Sequence, residues 1–181
     1  MDDKRSRFER QVLPHLDAAY RFARWLARSP NDADDVVQDA ILRAYRGYDA
    51  LRGSDARTWL MTIVRNCHLT AVRQQQRHAT VPLPEGDDAQ GDLNMTAAES
   101  EPEGASITRD ERRTLVRLMA ALPDDYREVL VLREIEDMNY REIAAVMNVP
   151  IGTVMSRLAR ARAALKKQWL RDTEGESRAV P

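Results

Sequence analysis

Five basic side chains and no acid lie between Ile143 and Leu170. They are Arg157, Arg160, Arg162, Lys166 and Lys167, all in the second half of the stretch YREIAAVMNVPIGTVMSRLARARAALKK. A guanidinium presents a planar fork of donors that matches guanine O6 and N7 or a phosphate. An ammonium is a point charge suited to phosphate alone. With the hydroxyls of Thr153 and Ser156 beside them, these residues could recognise a polyanion and read base edges. Nothing elsewhere suggests bond-breaking chemistry. There is no nucleotide-binding glycine loop, nucleophile motif or paired-carboxylate arrangement, and His15, His68 and His78 have no metal-ligand partners among Cys or other His. No cofactor, no metal and no catalytic site are expected.

Two amphipathic segments have to position these residues. They meet at a tight break, Asn148-Val149-Pro150. On a helical wheel of about 100° per residue, Val154, Leu158, Ala161 and Leu165 fall in one stripe that faces the preceding segment. Nearly opposite lie Thr153, Ser156, Ala159 and Arg160. Met155 and Lys166 flank them on one side and Arg157 on the other. This is the layout of a helix-turn-helix whose second helix enters a DNA major groove. The small and hydroxyl side chains allow close approach, so that Arg160 can reach base edges. Arg157, Arg162, Lys166 and Lys167 are better placed for phosphates.

The totals alone would not suggest DNA. The 181 residues carry 28 basic and 29 acidic side chains, a net charge of −1. The charge is segregated, however: residues 79–108 hold seven acids and no Lys or Arg. Within that stretch VPLPEGDDAQGDLNMTAAESEPEGA has three Pro, three Gly and no aromatic, which reads as a flexible linker over residues 78–106. The flanking blocks, 8–77 and 107–171, are helix-patterned. The expected fold class is all-α: two small helical domains joined by a flexible acidic linker. The lone cysteine, Cys67, excludes an internal disulfide and fits a reducing cytoplasm. The N-terminus lacks a signal-peptide core, and no apolar run is long enough to insert in a membrane. A soluble, intracellular chain is expected.

Apolar spacing predicts helices over 10–27, 33–48, 58–76, 108–121, 124–136, 140–147 and 151–170. Asn31 and Asp32 are the capping candidates of the second, Pro123 and Pro150 take first-turn positions, and the tail 172–181 is expected to be disordered. In the 33–48 helix, Val36, Val37, Ala40, Ile41 and Ala44 form the buried face. Asp35, Gln38, Asp39, Leu42 and Arg46 lie opposite. A leucine ringed by acids and an amide suits a protein partner with basic rims, although a solitary surface leucine is common. In the 58–76 helix, Leu60, Ile63, Val64, Cys67 and Ala71 share the buried stripe. Thr62, Arg65, Asn66, Leu69, Arg73 and Arg77 face away, with Trp59 at the edge. Asn and Arg can contact bases and phosphates, and Trp59 could stack on an unpaired base or simply complete the core. Cys67 reads as a small buried hydrophobe.

The run LPDDYREVLVLREIEDMNYREIAAVMNVPIGTVMSRLARARAALKK closely resembles the fourth region of bacterial sigma factors of the extracytoplasmic-function (ECF) group. DADDVVQDAILRAYRGYD followed by TWLMTIVRN resembles the second region of the same sigma-70 family. The resemblance implies a promoter-recognition subunit of RNA polymerase with no catalytic site of its own. It implies that the second block reads the −35 element as duplex, and that the first captures a flipped base of the −10 element and helps open the strands. By that match Asn66 lies where the captured base is contacted and Trp59 where an aromatic assists melting, with Thr62, Arg65 and Arg73 on the same face. Asp35, Gln38, Asp39 and Leu42 fall on the face that docks on the polymerase β′ coiled coil. The fourth region would approach the β flap, and an anti-sigma factor is the implied restraint. Thr62, Met155 and Ala159 depart from the basic or aromatic residues of some relatives, which leaves the −35 sequence open. The loop at residues 49–56 carries −10 specificity in the family. The competing reading is a stand-alone helix-turn-helix repressor or activator, which would bind duplex DNA by itself.

Overall fold

The computed structural model describes residues 3–27, 29–51, 55–79 and 108–178. They form eight α-helices and no strand: α1 (Lys4–Gln11), α2 (Leu16–Leu26), α3 (Pro30–Gly47), α4 (Ala56–Ala79), α5 (Arg109–Ala120), α6 (Asp124–Leu130), α7 (Tyr140–Met147) and α8 (Ile151–Arg178). Helices α1 to α4 make one domain, with α2, α3 and α4 mutually packed, and α5 to α8 the other, organised around α8. The acidic segment expected to link them lies almost wholly outside the described residues, although its first two positions, His78 and Ala79, belong to α4.

Local chemistry accounts for most of the boundaries. The helix expected over 10–27 is divided, because Pro14 has no N–H and its ring clashes with the carbonyl four residues back. The chain makes a 3-10 turn over Leu13–His15 instead. Helix α3 begins earlier than expected and is capped by Ser29, not by Asn31 or Asp32. The Ser29 hydroxyl accepts from the Asp32 N–H at 3.1 Å, and Pro30 takes the first helical position. Helix α4 also begins early, because the Asp55 carboxylate accepts from the Arg57 and Thr58 N–H groups. Pro123 and Pro150 each stand one place before the first turn. Their carbonyls accept the opening bonds of α6 and α8, from Tyr126, Arg127, Thr153 and Val154. The helix expected over 124–136 gives way after Leu130 to a π-helical stretch, Val131–Ile135, whose wider turn ends at Glu136. Helix α8 runs past the expected end at residue 170, and its extension is tied to α5 by the Arg117–Asp172 ion pair at 2.6 Å.

In the first domain Phe22, Leu60 and Val64 are fully buried among Ala19, Ala23, Ala33, Ala40 and Ala44, whose small side chains let the helices approach closely. Phe8 closes the top, edge-on to Tyr45 and Tyr48. In the second, Val154, Leu158 and Ala161 of α8 seal against α6 and α7. The two cores are continuous: buried residues from both domains form one apolar cluster, with α7 against α4 and α6 against α2.

The sharp turn of the helix-turn-helix depends on Asn148, the left-handed cap of α7 at φ 52° and ψ 51°. Asn tolerates that conformation and Gly adopts it freely, whereas a β-branched residue does not. Asn148→Gly is therefore expected to leave stability unchanged or slightly raised. Asn148→Val should cost about 1–2 kcal/mol. Urea denaturation checks both, and equal stability of the two variants would contradict the role given to this cap.

Candidate nucleic-acid interface

The exposed surface of α8 carries, in its N-terminal half, the residues expected to form a reading face. Met155 is 54% exposed, and Ser156, Ala159, Arg160 and Lys166 are also exposed, with Thr153 half-buried. A Cβ placed on Gly152 would meet nothing within 4 Å, so the start of the helix is open to a groove. The Ser156 hydroxyl donates to the Thr153 carbonyl at 3.0 Å, one turn back. The three arginines differ in a way the wheel did not show. Arg157 is only 22% exposed and pairs with Asp125 of α6 at 2.8 Å. Arg162 pairs with Glu134 at 2.6 Å. Among the described residues Arg160 forms no ion pair, and its guanidinium is the one presented to solvent without an acid.

Helix α4 carries the second candidate face. Asn66 and Arg73 are exposed, and Thr62 and Trp59 are half-buried. The Thr62 hydroxyl is spent on the Thr58 carbonyl at 2.8 Å. Trp59 packs on the core, with its ring 4.0 Å from where a Cβ on Gly47 would stand, so the core role and an exposed edge coexist. Arg65 is not free for a phosphate in this arrangement: its side chain is 14% exposed and its guanidinium binds Glu128 of α6. Burial pushes the Glu128 carboxyl above the ordinary range, against the opposing pull of Arg65. His68, one turn further on, is held below its ordinary value by burial, with Asp124 opposing. Positions 57, 61, 65 and 68 thus form a second covered stripe on α4, which includes the buried Met61.

The α3 face stands clear of both. Asp35 and Gln38 are exposed, Leu42 is 50% exposed, and Asp39 is partly engaged by Arg43 at 2.9 Å. Of the 49–56 loop, residues 52–54 lie outside the described set, and Tyr48–Ala50 form a 3-10 turn. Among the described residues no cluster of His, Cys, Asp or Glu could hold a metal ion, and no helix is long and apolar enough to cross a membrane.

Sequence reading had no route to Asp125, Glu128, Glu134 or Glu136. Each contributes a carboxylate to an arginine that is distant in sequence. The one available hint was two acids, Glu128 and Glu136, bracketing the largely apolar run VLVLREI.

Comparison with known proteins identifies the family. Residues 12–78 match the family model for sigma-70 region 2, and residues 112–165 match that for sigma-70 region 4. The ECF RNA polymerase sigma-E factor of Escherichia coli K12 is 36% identical over 138 residues, 74% of this chain and 72% of the relative. The RNA polymerase sigma-H factor of Pseudomonas aeruginosa is 35% identical over 169 residues, 91% and 86% of the two chains. Among solved structures, the sigma factor RpoE in complex with the anti-sigma factor NepR from Bartonella quintana superposes with a TM-score of 0.69 at 26% identity, covering 90% of this chain and 96% of that one. CnrH in complex with the cytosolic domain of CnrY shares the fold at a TM-score of 0.63 and 24% identity, covering 94% and 91%. The chain belongs to the sigma-70 family, in its ECF group. It is a sigma subunit.

Cys67 takes no part in either face. It is buried, and burial pushes its thiol up to about 11, with Asp39 adding to the shift. The folded chain therefore keeps the neutral thiol while the unfolded chain ionises near 9, so stability should fall as pH rises from about 9 to 11. Replacing Cys67 with Ser should flatten that part of the pH–stability curve. An identical slope in both proteins would contradict the assignment.

Proposed function

We propose that the exposed α8 face reads the −35 element as duplex and that the α4 face reads the opened −10 strand. Domain boundaries at 8–77 and 107–171, joined by the acidic segment 78–106, accompany this reading. The observation that carries it is the separation of the arginines on α8. Asp125 and Glu134 hold Arg157 and Arg162 at the flanks, while Arg160 forms no ion pair among the described residues and shares its side of the helix with Thr153 and Ser156. Arg160 is assigned to a base edge, with Thr153, Met155, Ser156 and Ala159 in close contact. Arg157, Arg162 and Lys166 are assigned to phosphates, where they can exchange an acid for a phosphate oxygen. On α4, Asn66 is assigned to the captured base, Trp59 and Thr62 to the melting edge, and Arg65 and Arg73 to the backbone.

The polymerase-docking face is Asp35, Gln38, Asp39 and Leu42 on the β′ coiled coil, with the second domain at the β flap. The chain acts through polymerase, without catalysis of its own, in the cytoplasm and on the nucleoid when bound to the enzyme. The promoters it serves are stress- or signal-responsive. Since relatives are solved with anti-sigma factors, an anti-sigma partner is part of the proposal.

Arg160→Ala should cost about 1–3 kcal/mol of discrimination at one −35 position, measured with reconstituted holoenzyme on a set of single-base promoter variants. An equal loss on every template would mean a phosphate contact instead. Asp35→Arg with Asp39→Arg should weaken binding to core polymerase at least tenfold, or about 1.4 kcal/mol, with the helical fold intact. Unchanged affinity for core would remove the docking assignment.

A further inference from the structure

The family match for the first domain begins at residue 12, so α1 lies before it. Three side chains of α1 reach the end of α3. Phe8, itself buried, meets the rings of Tyr45 and Tyr48 edge-on, with centroids 5.2 and 5.5 Å away. Gln11 accepts a hydrogen bond from the hydroxyl of the buried Tyr48 at 2.6 Å. Lys4 stands over the Tyr45 ring at 5.6 Å and binds the Asp49 carboxylate at 2.7 Å. Tyr48 and Asp49 open the 3-10 turn that leads into the 49–56 loop, and the Leu51 N–H closes that turn on the Tyr48 carbonyl at 2.9 Å. The other stem of the loop lies against the turn that follows α1, since Leu13–His15 packs on α4. At the head of α4 burial opposes ionisation of Asp55, yet hydrogen bonds from Thr58 and Arg57 and the nearby His15 hold its carboxyl below the ordinary value. One N-terminal segment therefore stands beside both stems of the loop.

From these contacts we infer that α1 and the turn after it brace the 49–56 loop, and that Gln11 and Lys4 are positioning residues for −10 discrimination. The inference rests on the first domain reading the opened −10 strand. Covering the aromatic end of the core needs Phe8 alone. Gln11 and Lys4 instead engage Tyr48 and Asp49, the two residues at which the chain leaves α3 for the loop. A loop with fixed stems cannot rearrange to accommodate a wrong base, so stiffness at the stems becomes discrimination. The two polar contacts differ in weight. Lys4–Asp49 is a surface pair, with Asp49 72% exposed, and adds little by itself. The Tyr48 hydroxyl sits on a buried ring, where a donor left without an acceptor is costly, and Gln11 supplies the acceptor. Gln11 is therefore the principal residue of the brace and Lys4 its support.

The test uses the full chain reconstituted with core polymerase, on single-base variants of the −10 and −35 elements, with initial run-off rates as the readout. Gln11→Leu combined with Lys4→Ala alters one exposed and one half-buried position, so the helical fold is retained. The double variant should lose −10 discrimination by about threefold or more, the weight of one hydrogen bond. Its −35 discrimination and its affinity for core should match wild type. Gln11→Glu keeps an acceptor for Tyr48 and Lys4→Arg keeps the cation, so combining these two should preserve −10 discrimination. Asn66→Ala, on the α4 face, serves as the comparison. Unchanged −10 discrimination in the double variant, with Asn66→Ala altering it, would overturn the brace and leave the α4 reading in place. An equal loss on every template would overturn it too, because α1 would then be holding a phosphate. Flat −10 profiles in both proteins would remove the first domain as the reader, and the brace with it.

Discussion

A carboxylate removed from water has to be received by cations, since leaving it unpaired costs several kcal/mol. That requirement organises the relation between the two halves of this molecule. The wide turn at Val131–Ile135 delivers Glu136 to a position 1% exposed, where, among the described residues, Arg21 and Arg57 pair with it. Both arginines belong to the other domain, so these pairs span the packing of α7 on α4, beside a continuous apolar cluster that includes Met61 and Met138. Glu128 and Arg65 repeat the arrangement nearer to α6. Without these pairs, each domain still has an apolar core: Phe22, Leu60 and Val64 in one, Leu132, Val154 and Leu158 in the other.

Carboxylate–guanidinium pairing also sets the character of the proposed DNA-reading surface. Asp125 and Glu134 each restrain one arginine of α8 and leave a third unrestrained. A guanidinium already bound to an acid makes a pre-positioned phosphate contact but a poor base reader, because it has donors committed elsewhere. The guanidinium of Arg160, unpaired among the described residues, and the exposed Met155 and Ala159 further round the same helix offer a donor fork and apolar surface of the kind suited to a thymine methyl. Net charge near zero is then no contradiction in a DNA-binding chain, because the acids are distributed between a separate segment and specific arginine partners.

The elements were legible where the signal was local. The apolar stripe of α8, the break at Asn148-Val149-Pro150 and the core faces of α3 and α4 all follow from spacing, and the burial of Val154, Leu158, Leu60 and Val64 agrees. Errors arose where a neighbouring residue competed. Pro14 divided an otherwise continuous helical pattern, Ser29 captured a cap assigned to Asn31 or Asp32, and Asp172 gave α8 an anchor beyond its expected end. What was not legible is pairing at long range. Arg21 and Glu136 are 115 residues apart, and no periodicity in either segment names the other. For the same reason Arg65 read as a free cation on an outward face, although α4 has a second covered stripe through residues 57, 61, 65 and 68.

That the chain supplies promoter choice to a polymerase, and does not act on duplex DNA alone, is tested most directly by run-off transcription from a pooled promoter library, with core enzyme in the presence and absence of the chain. The account predicts transcripts that appear only when the chain is added and that share two spaced upstream elements. Specific retention of duplexes by the chain alone, with no added initiation, would contradict it.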